Sequence, residues 1–304
     1  MAESCCPPGS LPYLAKGETY QPKGHVHVLP PCETRSHPCR LYIAGVENLE
    51  DATAWQGKRI VIAIHDAFGP TSGYHTLFCD DLAQRLKAIV VLPDCYRGQA
   101  LVPECAVEQT PKQLGFNFLT LKLIALMLFG KAKSFLLEFP YENDLDNVLA
   151  DQIVPYLKGK TGTNTDEPLP LAMTGFCFGS WVVFKASCDS KMTPHFKCGI
   201  HFHPSVANIE KRLLGRDDLL LCQNVSGAHL FVSTPQEPKE WHAGEKVEEL
   251  LKANTKVADV QFIETKLSHG FMVRGDRTDP NIVKEIETIL APACDFLNKH
   301  YPPK

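Results

Sequence analysis

The chain lacks the marks of several common classes. None of its apolar runs approaches the roughly 18 residues of a membrane-spanning helix. The longest, residues 116–129, reads instead as a buried or cap helix. The opening MAESCCPPGSLPYLAKGE has no basic segment followed by an apolar core, so no secretory leader is expected. No Cys-x-x-Cys occurs, which excludes a zinc ribbon and a thioredoxin-type redox pair. Lysine and arginine are scattered and the net charge is only −4, so the footprint of a nucleic-acid binder is missing. The 12 cysteines among 304 residues are too sparse for a disulfide scaffold. We therefore expect free thiols in a cytoplasmic protein, with no membrane and no nucleic-acid partner.

What is present is enough for one large core, with 44% hydrophobic and 22% charged residues. Residues 1–38 are rich in Pro, Gly and polar residues and read as an arm, with a short strand at 24–28 and an adjacent Cys5 and Cys6 of no assigned role. Residues 39–304 read as a single domain. Apolar runs at 41–45, 59–64 and 88–93 read as strands, and 74–87 has helical spacing between the last two, which makes a βαβ unit. Residues 145–157 form a further helix and 158–168 a polar loop. Strands follow at 169–176, 198–203, 228–234 and 257–264, and a closing helix spans 281–299. Seven or eight strands alternating with helices predict an α/β fold: a mostly parallel, doubly wound sheet with helices on both faces.

One stretch organises the rest. An apolar strand runs into Gly175-Phe-Cys177-Phe-Gly179 and then into an apolar helix. A sharp strand-to-helix turn strains its central residue, and a Cβ two residues before or after would collide with backbone. Cys177 is the apex of such an elbow. At a helix N-terminus, unpaired N–H groups and the helix dipole favour a thiolate and a developing oxyanion.

In a doubly wound sheet, ligands sit beyond the carboxyl ends of the strands. Four loops there carry suitable groups: Asp66, Cys177, Glu237 and His269. The order Cys177, Glu237, His269 is nucleophile, acid, base, as in the α/β-hydrolase triad. A thiol attacks a carbonyl as thiolate, an imidazole takes its proton and later donates it to the leaving group, and a carboxylate fixes the imidazole tautomer. The N–H groups of Phe178 and Ala67 are the expected oxyanion donors, one of which is worth roughly 2.7–4 kcal/mol.

The segments Gly175-Phe-Cys-Phe-Gly179, His65-Asp-Ala-Phe-Gly69, Pro93-Asp94 with Tyr96-Arg97, and Ser268-His-Gly-Phe271 followed by Arg274 resemble the dienelactone hydrolases, also called carboxymethylenebutenolidases. The stretch from Ser4 to Ser10 also resembles the start of eukaryotic members. The resemblance spans nearly the whole chain. It implies an α/β-hydrolase fold and a Cys, His and acid triad acting on small esters or lactones, with no cofactor and no metal. It also implies that Asp66 tunes the resting thiol and that Arg97 and Arg274 bind a carboxylate on the substrate. The family usually has Asp as triad acid, whereas this chain offers Glu237, with Glu240 beyond it. Ser180 stands where a second glycine is frequent, a change of packing rather than chemistry.

Other features have plainer readings. The remaining cysteines are small buried hydrophobes. His201 and His203 share a strand face, but no third metal ligand is evident, and His203-Pro204 lines the site mouth or closes the strand. Trp181 and Phe184 belong to the core. The reading is thus a cysteine hydrolase of small esters or lactones, with a monomer as the favoured state. Two rivals are a non-catalytic small-molecule binder and a redox-sensing thiol protein.

Overall fold

The computed structural model describes residues 20–31, 38–99 and 137–303. Most of the expected arm, Cys5, Cys6 and the apolar run at 116–129 lie outside them. The strands are β1 (His25–Leu29), β2 (Cys39–Ala44), β3 (Ile60–Ile64), β4 (Ile89–Pro93), β5 (Leu171–Phe176), β6 (Phe196–Phe202), β7 (Gly227–Ser233) and β8 (Val257–Glu264). The α-helices are α1 (His75–Leu86), α2 (Val154–Thr161), α3 (Phe178–Ala186), α4 (Asp218–Leu221), α5 (Lys246–Ala253), α6 (Phe271–Arg274) and α7 (Pro280–His300).

The eight strands form one sheet in the order β1-β2-β4-β3-β5-β6-β7-β8. The first two ladders are antiparallel and the other five parallel. Every residue of β3, β4 and β5 is buried, because helices cover both faces. Alternation divides the strands: Ile60, Ile62 and Ile64 face Leu157, Trp181 and Val182, while Val61 and Ala63 face Phe78, Leu82, Ile286 and Ile289. Each fully buried Ile or Val contributes roughly 1.5–3 kcal/mol. The edges β1 and β8 are half-buried or exposed instead, with only Leu29 and Val260 fully buried.

The strand expected at 24–28 is β1, an edge of the same sheet. The single helix expected at 145–157 differs more. A kinked turn at Tyr141–Leu145, in which Glu142 and Asn143 are not helical, and one wider, π-type segment, Val148–Ile153, precede α2, which begins beside Pro155 and runs on to Thr161. Proline has no N–H and its ring crowds the carbonyl four residues back, and wider winding relieves both problems. No helix among the described residues is long and apolar enough to cross a membrane.

Candidate active site

The junction of β5 and α3 is built as the glycines require. A Cβ on Gly175 would lie 2.3 Å from the backbone of Gly179, and one on Gly179 would lie 2.2 Å from the Ile64 carbonyl oxygen. Cys177 between them has φ +54° and ψ −111°, a region costing a non-glycine residue about 1–3 kcal/mol. Its backbone is clamped: the N–H donates to Phe202 O at 3.1 Å, and its carbonyl accepts from Ser180 N–H at 3.1 Å and Ser205 N–H at 3.2 Å. The Ser180 hydroxyl donates to Gly175 O (2.7 Å) and Phe202 O (3.2 Å), so it braces the elbow. Phe178, the first residue of α3, follows the thiol directly.

Glu237 and His269 come together from the loops after β7 and β8. Both side chains are buried, and His269 Nδ1 is 2.6 Å from Glu237 Oε1. The second carboxylate oxygen accepts from Thr234 N–H, while Glu237 N–H donates to Thr234 O. The His269 N–H donates to the Gln236 side-chain oxygen at 3.0 Å. A carboxylate against Nδ1 leaves Nε2 as the working nitrogen of the ring. At Gly270, φ is +95° and a Cβ would sit 2.3 Å from the Arg274 guanidinium, so glycine is required after the histidine.

Asp66, buried at the end of β3, is ion-paired with the buried Arg274. Its other oxygen accepts from Phe68 N–H at 2.9 Å, an Asx turn that fixes the peptide at Ala67. Two buried imidazoles hold this corner. His65 Nδ1–H donates to Asp66 O (2.6 Å) while Nε2 accepts from Cys95 N–H (3.1 Å), and His75 Nε2 accepts from Asp66 N–H (3.2 Å). Burial pushes both below the usual imidazole range, His75 to about 4, so both are neutral near pH 7. Arg97 lies 3.4 Å from Asp144 and over the ring of Phe139.

The structure therefore brings Cys177, Phe178, Glu237, His269, Asp66, Ala67 and Arg274 to the carboxyl edge of the central strands, and it gives Arg97 an acidic partner. Sequence reasoning did not find Ser205, whose Oγ is 3.2 Å from the Cys177 sulfur, nor the bracing histidines 65 and 75. Position after a strand is the only signal of His65 and Ser205, which many polar residues share, and His75 merely opens α1. His201, in β6, and His203, just beyond its end, part company. His201 stacks on Phe231 and hydrogen-bonds His229 in the core, whereas His203 packs against His269 with ring centroids 4.7 Å apart. On top of burial, His269 and Arg274 push the His203 pKa down and Cys177 pushes it up, so all three lie within electrostatic reach of it.

Solved structures share this fold at low identity. An acylaminoacyl peptidase of Pyrococcus horikoshii superposes with a TM-score of 0.56 at 13% identity, over 91% of this chain and 41% of that one, so the chain spans about two fifths of its length. A Klebsiella pneumoniae protein described as a dienelactone hydrolase gives 0.55 at 15% identity, covering 89% of this chain and 98% of that one. The Pyrococcus furiosus esterase Pf2001 gives 0.53 at 14% identity, covering 95% and 98%. No curated protein matches the chain. The model of the dienelactone hydrolase family, however, matches residues 48–300, most of the sequence, and the chain belongs to that family of hydrolases.

Proposed function

We propose that this chain hydrolyses small esters or lactones through Cys177 and a thioester acyl-enzyme. The observation that carries the reading is the buried 2.6 Å contact between Glu237 and His269, on loops beside a cysteine held at positive φ. In the first half-reaction His269 Nε2 takes the thiol proton and the sulfur attacks the substrate carbonyl carbon. The oxyanion rests on the N–H groups of Phe178 and Ala67, the latter presented by the Asx turn of Asp66. The carbon–oxygen bond to the alcohol then breaks, and the imidazolium returns its proton to that oxygen. In the second half-reaction His269 deprotonates water, which attacks the thioester carbon; the carbon–sulfur bond breaks, the acid leaves, and the imidazolium returns its proton to the Cys177 sulfur. Glu237 stabilises the imidazolium in both.

The redox-sensor reading has less support. Among the described residues no cysteine is in a disulfide, and burial pushes the thiols of Cys188, Cys198 and Cys222 up to about 12, where thiolate is scarce at neutral pH. Such thiols suit a reducing compartment such as the cytoplasm. The test is hydrolysis of p-nitrophenyl acetate by the purified protein. Cys177→Ala should lose activity by about 10³-fold or more. Retained turnover would refute a cysteine nucleophile, and a wild type that binds esters without cleaving them would mean a binding protein.

A further inference from the structure

Both arginines that the resemblance sets against a substrate carboxylate are engaged by acids of this chain. Arg274 pairs with Asp66 inside the protein, and Arg97 lies 3.4 Å from Asp144 with both side chains nearly buried. Asp94, on the loop with Arg97, accepts N–H groups from Tyr96 (3.1 Å) and Gly98 (2.6 Å). Among the described residues, these loops set Arg97 and Arg274 beside Asp66, Asp94, Asp144 and Glu237. A substrate carboxylate would have to lose its water here and compete with Asp66 and Asp144 for the two guanidinium groups.

One polar side chain of the same site is differently placed. His203 is fully buried, and among the described residues neither ring nitrogen has a hydrogen-bond partner. Its φ is +40°, fixed by its N–H donating to Val232 O at 2.8 Å. The ring sits 4.7 Å from that of His269 and 5.8 Å from that of Phe271. A residue kept only for packing would be apolar and would not need a strained backbone. Burial, with His269 and Arg274 adding to it, drives its pKa well below the ordinary value. A neutral imidazole offers one donor and one acceptor, which suits a hydroxyl, ether or carbonyl and gives no countercharge to a carboxylate.

We propose that this site takes an uncharged ester or lactone bearing a hydroxyl or carbonyl group, and that His203 binds that group. The proposal rests on the hydrolase reading at Cys177. Its test compares kcat/KM for three p-nitrophenyl esters of equal length: butyrate, 3-hydroxybutyrate and hemisuccinate. The wild type should prefer the hydroxybutyrate over the hemisuccinate by about tenfold or more. His203→Phe should lower kcat/KM for the hydroxybutyrate by about tenfold, chiefly through KM, toward the value for butyrate, and His203→Gln should recover most of that loss. Asp144→Asn, which removes the carboxylate charge competing for Arg97, should improve the hemisuccinate relative to butyrate. Preference for the hemisuccinate, or an equal loss on all three esters in His203→Phe, would overturn the proposal. If His203→Phe does not fold, the wild-type order and Asp144→Asn still decide. Activity persisting in Cys177→Ala would instead defeat the hydrolase reading, whatever the order of the esters.

Discussion

Glu237 stands where related hydrolases usually carry aspartate, and its turn explains the longer side chain. The peptide of Glu237 donates to Thr234 O while its carboxylate reaches back to Thr234 N–H, so one oxygen closes the turn and the other meets His269 Nδ1 at 2.6 Å. An aspartate would be one methylene short of doing both. The same geometry sets the effect of Glu237→Gln. The amide keeps the shape but offers no charge to the imidazolium, and it can present an N–H to Nδ1 and so select the wrong tautomer. We expect kcat for p-nitrophenyl acetate to fall on the order of 10³–10⁴-fold, with the melting temperature little changed. A fall below about tenfold would show that the carboxylate does not serve the histidine.

At the scale of elements, the site depends on how closely α3 approaches β3 and β5. Gly179 faces the Ile64 carbonyl at a distance no Cβ tolerates, 2.2 Å, and the contact is to backbone that cannot swing aside. Gly179→Ala should therefore destabilise the fold by about 3 kcal/mol or more and displace Phe178 N–H. Urea unfolding would measure it, and a loss under about 1 kcal/mol would mean that the helix shifts freely. These elements are the part of the molecule most legible in the sequence. Strands β3, β4 and β5 are buried on both faces and read as continuous apolar runs, and Cys177, Glu237 and His269 each follow a strand. The winding of residues 148–153 is not legible, because a π-type turn keeps an apolar pattern close to that of an α-helix. Pairings across the chain are not legible either. Asp144 meets Arg97 and Ser205 meets Cys177 only because the sheet order sets their loops side by side.

At the scale of the whole molecule, an unusual number of imidazoles are sealed in the interior. His65, His75, His201, His203 and His229 all have folded-state pKa values lowered by burial, with His75 and His229 at about 4. His201 Nε2–H donates to His229 Nδ1 and His229 Nε2–H to Ser226 O, each at 3.0 Å, which two neutral rings satisfy and which leaves His201 Nδ1 without a proton for the Ser180 carbonyl 3.3 Å away. A base whose pKa is lower folded than unfolded binds more protons in the unfolded state. The stability its neutral form supplies is present above about pH 6.5 and is lost as pH falls toward 4, by up to about 1.4 kcal/mol per pH unit for each ring. The melting temperature should hold from pH 8 to 7 and then fall steeply below about 6.5. A flat profile down to pH 4 would mean that these histidines are not held neutral. Integrity of the fold above that window is the setting for the most direct test, mass spectrometry of the whole protein quenched in acid during turnover of p-nitrophenyl acetate, followed by peptide mapping. One acetyl group, labile to hydroxylamine, is expected on the peptide containing Cys177 and should be absent in Cys177→Ala. An acetyl group on Ser205, or unimpaired turnover in Cys177→Ala, would contradict it.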